Sequence, residues 1–191
     1  DLSEIVHSTI AVRTADLQTS RITLREEYAA DLPFVFGSRE ELRQIVLNLM
    51  SNAEHAIRDT GKPGVIRVRT GRSGKVVFTE ISDNGPGVPA DLAGRIFEPF
   101  FTTKDVGQGT GLGLSQVLGV VQQLGGGVRI DTRPGMGTIV KVFLPRARIS
   151  DAALRQIPTA RRAAPRAAIA GGTERASGLI LLVDDDDDVR A

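Results

Sequence analysis

An α/β two-layer sandwich, in which a mostly antiparallel mixed sheet is covered on one face by helices, is the fold class that this sequence predicts. Three observations predict it: a long amphipathic helix opened by a capping box, two strand pairs each joined by a glycine-containing turn, and a second amphipathic helix between those pairs. Helix, hairpin, helix, hairpin is an order that stacks helices on one side of a single sheet.

Residues 1 to 20 carry Leu2, Ile5, Val6, Ile10 and Leu17 at loosely helical spacing, and Ile22 to Tyr28 alternates like a short strand. Ser38 followed by Glu41 forms the capping box, and Leu42, Ile45, Val46, Leu49, Ala53, Ala56 and Ile57 make the apolar stripe of the helix it opens. Beyond the breaker at Gly61 to Gly64, Val65 to Thr70 and Lys75 to Ser82 read as strands joined by Gly71-Arg72-Ser73-Gly74. A short helix is expected over Ala90 to Ile96, and a longer one carries Leu114, Val117, Leu118, Val121 and Leu124. Val128 to Asp131 and Thr138 to Leu144 form the last hairpin around Pro134-Gly135-Met136-Gly137, and Pro145 closes the domain. From Arg146 onward Ala and Arg dominate with little apolar periodicity, so residues 146–178 read as a linker.

Composition narrows the function. The chain has 191 residues, enough for one ordinary core and a remainder. Its 24 Lys and Arg nearly balance 23 Asp and Glu, a charge that gives no field for nucleic acid, which is not an expected partner. There is no cysteine, which removes disulfides and thiolate metal sites and suits a reducing, cytoplasmic setting. The longest apolar runs fall far short of the roughly 20 residues of a membrane span, so no membrane contact is expected of this segment, whatever anchors a longer parent chain. A chain opening at Asp1 with neither Met nor a leader pattern reads as a piece of something longer.

Three constellations carry chemistry. Gln44, Asn48, Asn52 and His55 lie at spacings of four, four and three, which stacks them along one side of the capped helix. The Asn carbonyl oxygens suit Mg²⁺, which takes oxygen donors and shares a nucleotide's phosphates; the same row read alone also fits a solvated helix face. Asp83-Asn84-Gly85-Pro86-Gly87 ends a strand with glycines that admit a close ligand, and alone it is also a tight turn. Gly107-Gln108-Gly109-Thr110-Gly111-Leu112-Gly113 feeds a helix N-terminus, where free amides and the positive dipole end suit phosphate, although a flexible surface loop has the same composition. No register satisfies G-x-G-x-x-G or the P-loop pattern, so neither phosphate motif applies.

In this order, Asn48 to Ala56, Asp83 to Gly87, Ile96-Phe97-Glu98-Pro99-Phe100-Phe101-Thr102-Thr103-Lys104 and Gly107 to Gly113 resemble the N, G1, F and G2 boxes of histidine kinases. Those kinases belong to the wider ATPase superfamily that includes gyrase-type topoisomerases. The resemblance covers residues 1 to about 145 and implies an ATP-binding catalytic domain with a flexible ATP lid. It implies that Asn52 holds Mg²⁺, that Asn48 and His55 face the phosphates, and that Asp83, supported by Gly85 and Gly87, binds adenine. Phe97 and Phe100 would seat the lid. Gly107, Gly109, Thr110, Gly111, Leu112 and Gly113 would wrap the triphosphate, with Lys104 as a phosphate contact. Thr102 and Thr103 stand where many members carry a basic residue, a version similar to that of hybrid and nitrogen-regulator-like kinases, and His55 stands where some relatives carry lysine.

The family transfers the γ-phosphoryl group to a histidine on a preceding dimerisation domain, which this chain lacks. His7 does not resemble that acceptor, because Ser8-Thr9-Ile10 follows it without the acidic neighbour and the downstream proline. A histidine-bearing dimerisation domain and a receiver or response regulator are therefore the implied partners. Leu179 to Val183 with Asp184 and Asp185 resembles a receiver's first strand and acidic pair, so residues 179–191 are expected to begin one. Two rival readings remain at this point: a nucleotide-binding regulatory module without catalysis, and a sibling ATPase or serine kinase of the same superfamily.

Overall fold

The computed structural model describes residues 1–102, 110–147 and 180–181. The lid residues Lys104, Gly107 and Gly109, residues 148–178 of the expected linker and the aspartate run lie outside the described residues. In chain order the elements are α1 (Leu2–Ala11), α2 (Thr14–Thr19), β1 (Ile22–Tyr28), α3 (Arg39–Arg58), β2 (Gly64–Ser73), β3 (Val76–Asp83), α4 (Ala90–Ala93), α5 (Gly113–Gln123), β4 (Gly127–Arg133), β5 (Gly137–Pro145) and β6 (Ile180–Leu181). The sheet order is β1-β2-β3-β5-β4-β6. All neighbours are antiparallel except β1 and β2, which run parallel because α3 carries the chain across between them.

The helical layer covers one face. Even-numbered residues of β2 and β5 (Ile66, Val68, Val142, Leu144) and odd-numbered residues of β3 (Val77, Ile81) are buried against Leu49, Met50, Ile57, Val117 and Val121 of α3 and α5. The opposite face is charged, and Glu80 at its centre takes Arg69 at 3.3 Å and Lys141 at 2.7 Å. Two layers therefore enclose one core, as the sequence predicts.

The capping box forms: Glu41 N–H donates to Ser38 Oγ at 3.1 Å, and Ser38 N–H donates to the Glu41 carboxylate at 2.7 Å. Backbone donation from Ser38 holds the Glu41 carboxyl below its ordinary range. Within the stripe, Ala56 is only half-buried, and Glu54 is buried instead. Its carboxylate is satisfied by Arg13 at 2.6 Å and Arg58 at 2.9 Å, which ties the α1–α2 corner to α3.

Three boundaries differ from expectation. Strand β2 runs on to Ser73, because Gly71 stays in the ladder with the Phe78 ring occupying the space of its missing side chain, where a Cβ would sit 2.4 Å from Phe78. The turn is thereby reduced to Gly74 and Lys75. Helix α4 stops at Ala93, with single turns carrying the chain on, Arg95 N–H to Leu92 O and Glu98 N–H to Arg95 O. Residues 180–181 of the segment expected to open a receiver form β6, on the outer edge of β4.

Candidate nucleotide site

Helix α3 meets both glycine segments. Asn48 Nδ2 donates to the Gly113 carbonyl at 3.3 Å and lies 3.5 Å from Gln116 Oε1, while its own Oδ1 accepts from Gln44 Nε2 at 3.0 Å. One turn along, Asn52 faces the same glycine: a Cβ on Gly113 would lie 3.6 Å from its Nδ2 and 3.8 Å from its Oδ1. Asn52 is half-buried and its side chain makes no hydrogen bond to any described residue, so its amide oxygen remains available as a ligand. His55 Nδ1 is 2.6 Å from the Ser51 carbonyl, which can only accept, so Nδ1 carries a hydrogen and donates to it. Ala56 then supports the strand-end loop, since a Cβ on Gly85 would stand 3.0 Å from Ala56 Cβ.

That loop holds Asp83 in a fixed pose. Asp83 Oδ1 accepts from Gly85 N–H at 2.8 Å, and Asn84 Oδ1 accepts from Val65 N–H at 2.7 Å, which fastens the loop to β2. Gly87 has φ +69°, and a Cβ there would come within 2.0 Å of the Arg133 carbonyl, so this position needs glycine on both counts.

The lid is pinched at its base. Phe100 N–H donates to the Gly111 carbonyl at 3.0 Å, and a Cβ on Gly111 would lie 2.4 Å from the Phe100 carbonyl carbon. Phe97 packs against the core, whereas the Phe100 ring is 74% exposed and φ is +66°. Phe100 therefore meets Gly111 through its backbone. Leu112 is the N-cap of α5 and supplies no side-chain cap, so the first amides of that helix are open to an anion; Thr110 Oγ1 accepts from Leu112 N–H at 3.4 Å.

Helix α3 thus meets Gly113 through Asn48 and Asn52 and Gly85 of the Asp83 loop through Ala56, while Gly87 lies against Arg133 and Gly111 against Phe100. His7 stands apart on the exposed face of α1, 3.1 Å from Glu26 and edge-on to Tyr28, as an ordinary helix residue would. Four residues went unread in the sequence: Gln116, Asn84, Thr132 and Thr138. Gln116 falls one helical turn past Gly113, a spacing that could have identified it. Thr138 lies opposite Asp83 only through the β3–β5 register.

Burial raises the Asp83 pKa above 3.8, and the N–H groups of Gly85 and Thr138, which favour the ionised form, offset it only in part. Because the native state then holds a proton that the unfolded chain releases, this group favours folding more as pH falls through its native pKa and opposes folding above it. The carboxylate is thus costly to keep ionised, and a ligand donor recovers that cost. A ¹³C titration of the Asp83 carboxyl should give a midpoint above 3.8 in the free protein, shifting down when adenosine binds. An ordinary midpoint that ligand leaves in place would contradict this geometry. Among the described residues no group of three or more His, Cys, Asp or Glu could hold a metal ion.

The chain is 35% identical over a 209-residue alignment to the sensor kinase CckA of Brucella abortus (strain 2308), covering 100% of this chain and 21% of that protein. It is 36% identical over 145 residues to the sensor histidine kinase ZraS of Escherichia coli (strain K12), covering 76% and 30%. The chain thus spans less than a third of either relative. The catalytic domain of histidine kinase ThkA superposes with a TM-score of 0.67 at 27% identity, covering 76% of this chain and 95% of that one. Full-length ShkA in complex with AMPPNP also superposes at 0.67 and 27%, covering 77% and 30%. No helix among the described residues is long and apolar enough to cross a membrane. Residues 37–148 match the family of histidine kinase-, DNA gyrase B- and HSP90-like ATPases, and the chain belongs to that family.

Proposed function

We propose that this domain binds Mg²⁺-ATP and transfers the γ-phosphoryl group to a histidine on a separate dimerisation domain. The observation that carries the reading is that α3 touches the foot of the glycine lid through Asn48 and Asn52 and, one turn on at Ala56, the loop of Asp83. At 1.5 Å per residue, Asn52 and Ala56 are about 6 Å apart along the helix, a span that one nucleotide bridges. The AMPPNP complex of ShkA supports ATP as the ligand.

Asp83 accepts a hydrogen bond from the adenine amine, which a guanine carbonyl cannot offer, and so selects the base. The open amides of α5, with Gly111 and Gly113, would face the phosphates, and Gly109 and Lys104 are the further residues that we assign to phosphate binding. Asn52 would hold Mg²⁺ through its amide oxygen, and the ion neutralises phosphate charge when bound. Asn48 braces the foot of the lid against α3, and His55 presents Nε2 toward the phosphate end. The acceptor imidazole nitrogen forms the new N–P bond as the bond from the γ-phosphorus to the bridging oxygen breaks; ADP leaves, and the imidazole proton passes to solvent. Catalysis is then mostly positioning and charge neutralisation.

The domain would act in the cytoplasm within a two-component system, after a dimerisation domain in the parent chain. Residues 179–191 would open a receiver, the reading that the Leu179 to Val183 run followed by Asp184 and Asp185 supports. A crystallised complex of ThkA with the response regulator TrrA supports a partner of that kind. The test is calorimetry with AMPPNP with and without Mg²⁺, followed by incubation with labelled ATP and the isolated dimerisation domain of a relative. Saturable Mg²⁺-dependent binding and an acid-labile, base-stable label on the added domain are expected. Binding without any transfer would leave a regulatory module instead.

A further inference from the structure

We propose that Thr132 is a positioning residue for base recognition: its hydroxyl locks the β4–β5 turn onto the Asp83 loop and so aims the Asp83 carboxylate. The inference rests on the nucleotide reading above and deepens it, since nothing in that reading assigns a role to β4.

Thr132 is half-buried near the end of β4, and its hydroxyl is saturated. It accepts from Val88 N–H at 2.9 Å, donates to the Gly137 carbonyl at 3.1 Å, and lies 3.1 Å from Thr138 Oγ1. A hydroxyl has one hydrogen and two lone pairs; with the hydrogen given to Gly137, Thr138 must be the donor of the third bond. Each partner leads to Asp83. Val88 ends the loop that Asp83 begins, Gly137 is seated so closely that a Cβ there would be 2.0 Å from the Asp83 carbonyl, and Thr138 pairs with Asp83 across β3 and β5.

The same turn is fastened at a second point, where Gly135 N–H donates to the Pro86 carbonyl at 2.7 Å. Gly87 and Gly137 let the two backbones meet without side chains between them. Asn84, bonded to Val65 N–H, holds the other side of the loop. Backbone contact sets how near the segments lie, and Thr132 is the side chain that sets their registration. Valine keeps the shape of threonine while losing all three bonds, whereas serine keeps the hydroxyl.

The test uses the 191-residue chain and two nucleotides, ATP and purine riboside triphosphate, which lacks the exocyclic amine. The unaltered protein is expected to prefer ATP by about tenfold or more, the worth of a hydrogen bond to a charged acceptor. Thr132→Val should weaken ATP binding about fivefold to tenfold and change purine riboside triphosphate binding by less than about twofold, so that the preference collapses. Thr132→Ser should retain the preference. Equal losses for both nucleotides, or no loss, would overturn the role of Thr132 and leave the adenine assignment standing. No preference in the unaltered protein would overturn the adenine assignment and this inference together. Should Thr132→Val fail to fold, Thr132→Ala read against the same two nucleotides gives the same comparison.

Discussion

Asp83→Asn should lower ATP affinity more than about a hundredfold, with little change in thermal stability. The two side chains have nearly the same shape, so the loss would come from hydrogen-bond polarity. Oδ1 of Asp83 is already committed to Gly85 N–H at 2.8 Å, and Thr138 N–H adds a second donor to the carboxyl. An asparagine there would turn its carbonyl oxygen toward those donors and its NH₂ toward the purine. The exocyclic amine of adenine would then meet a donor. Calorimetry with AMPPNP measures the effect, and an affinity within threefold of the unaltered protein would remove Asp83 from the base pocket. Since the buried carboxylate opposes folding above its native pKa, the neutral amide should not lower the melting temperature.

Asn52→Ala should reduce Mg²⁺-dependent phosphoryl transfer to an added dimerisation domain by about a hundredfold to a thousandfold, the scale of losing one preorganised contact to transition-state charge. Nucleotide binding measured without Mg²⁺ should hardly change. The two readouts separate because the Asn52 side chain makes no hydrogen bond to a described residue, so its removal costs the fold little, whereas Asn48 is engaged with Gly113 and Gln44. Asn52→Asp should also be impaired, because it brings a negative charge toward the phosphates. An unchanged Mg²⁺-dependent rate in Asn52→Ala would take the metal away from this residue.

Helix α3 was legible at every level, since its cap, its apolar stripe and its amide row each follow from spacings of three and four residues. Asp83 and the glycine lid were legible as motifs, because turn chemistry and a helix N-terminus are local. Phe100 was read as a seat for the lid, and the contact it makes to Gly111 runs through its backbone N–H, a donor that every residue except proline carries. Glu54 was hidden by its charge: the two arginines that allow its burial lie at positions 13 and 58, and the first is 41 residues away. Gly71 read as part of a turn because its covering ring, Phe78, belongs to the facing strand.

Taken alone, the amino-acid order determined which segments are helices and strands and which side chains bring carboxylate, amide and glycine chemistry. These follow from hydrogen bonds and periodicities contained within a few residues. Tertiary structure decided that β1 runs parallel to β2, that β5 lies between β3 and β4, and that the turn after Thr132 closes on the loop of Asp83. It also decided that Asp83 is buried enough to hold its proton more tightly. Cross-strand register and desolvation depend on residues dozens of positions apart, and only the closed sheet brings those residues into contact.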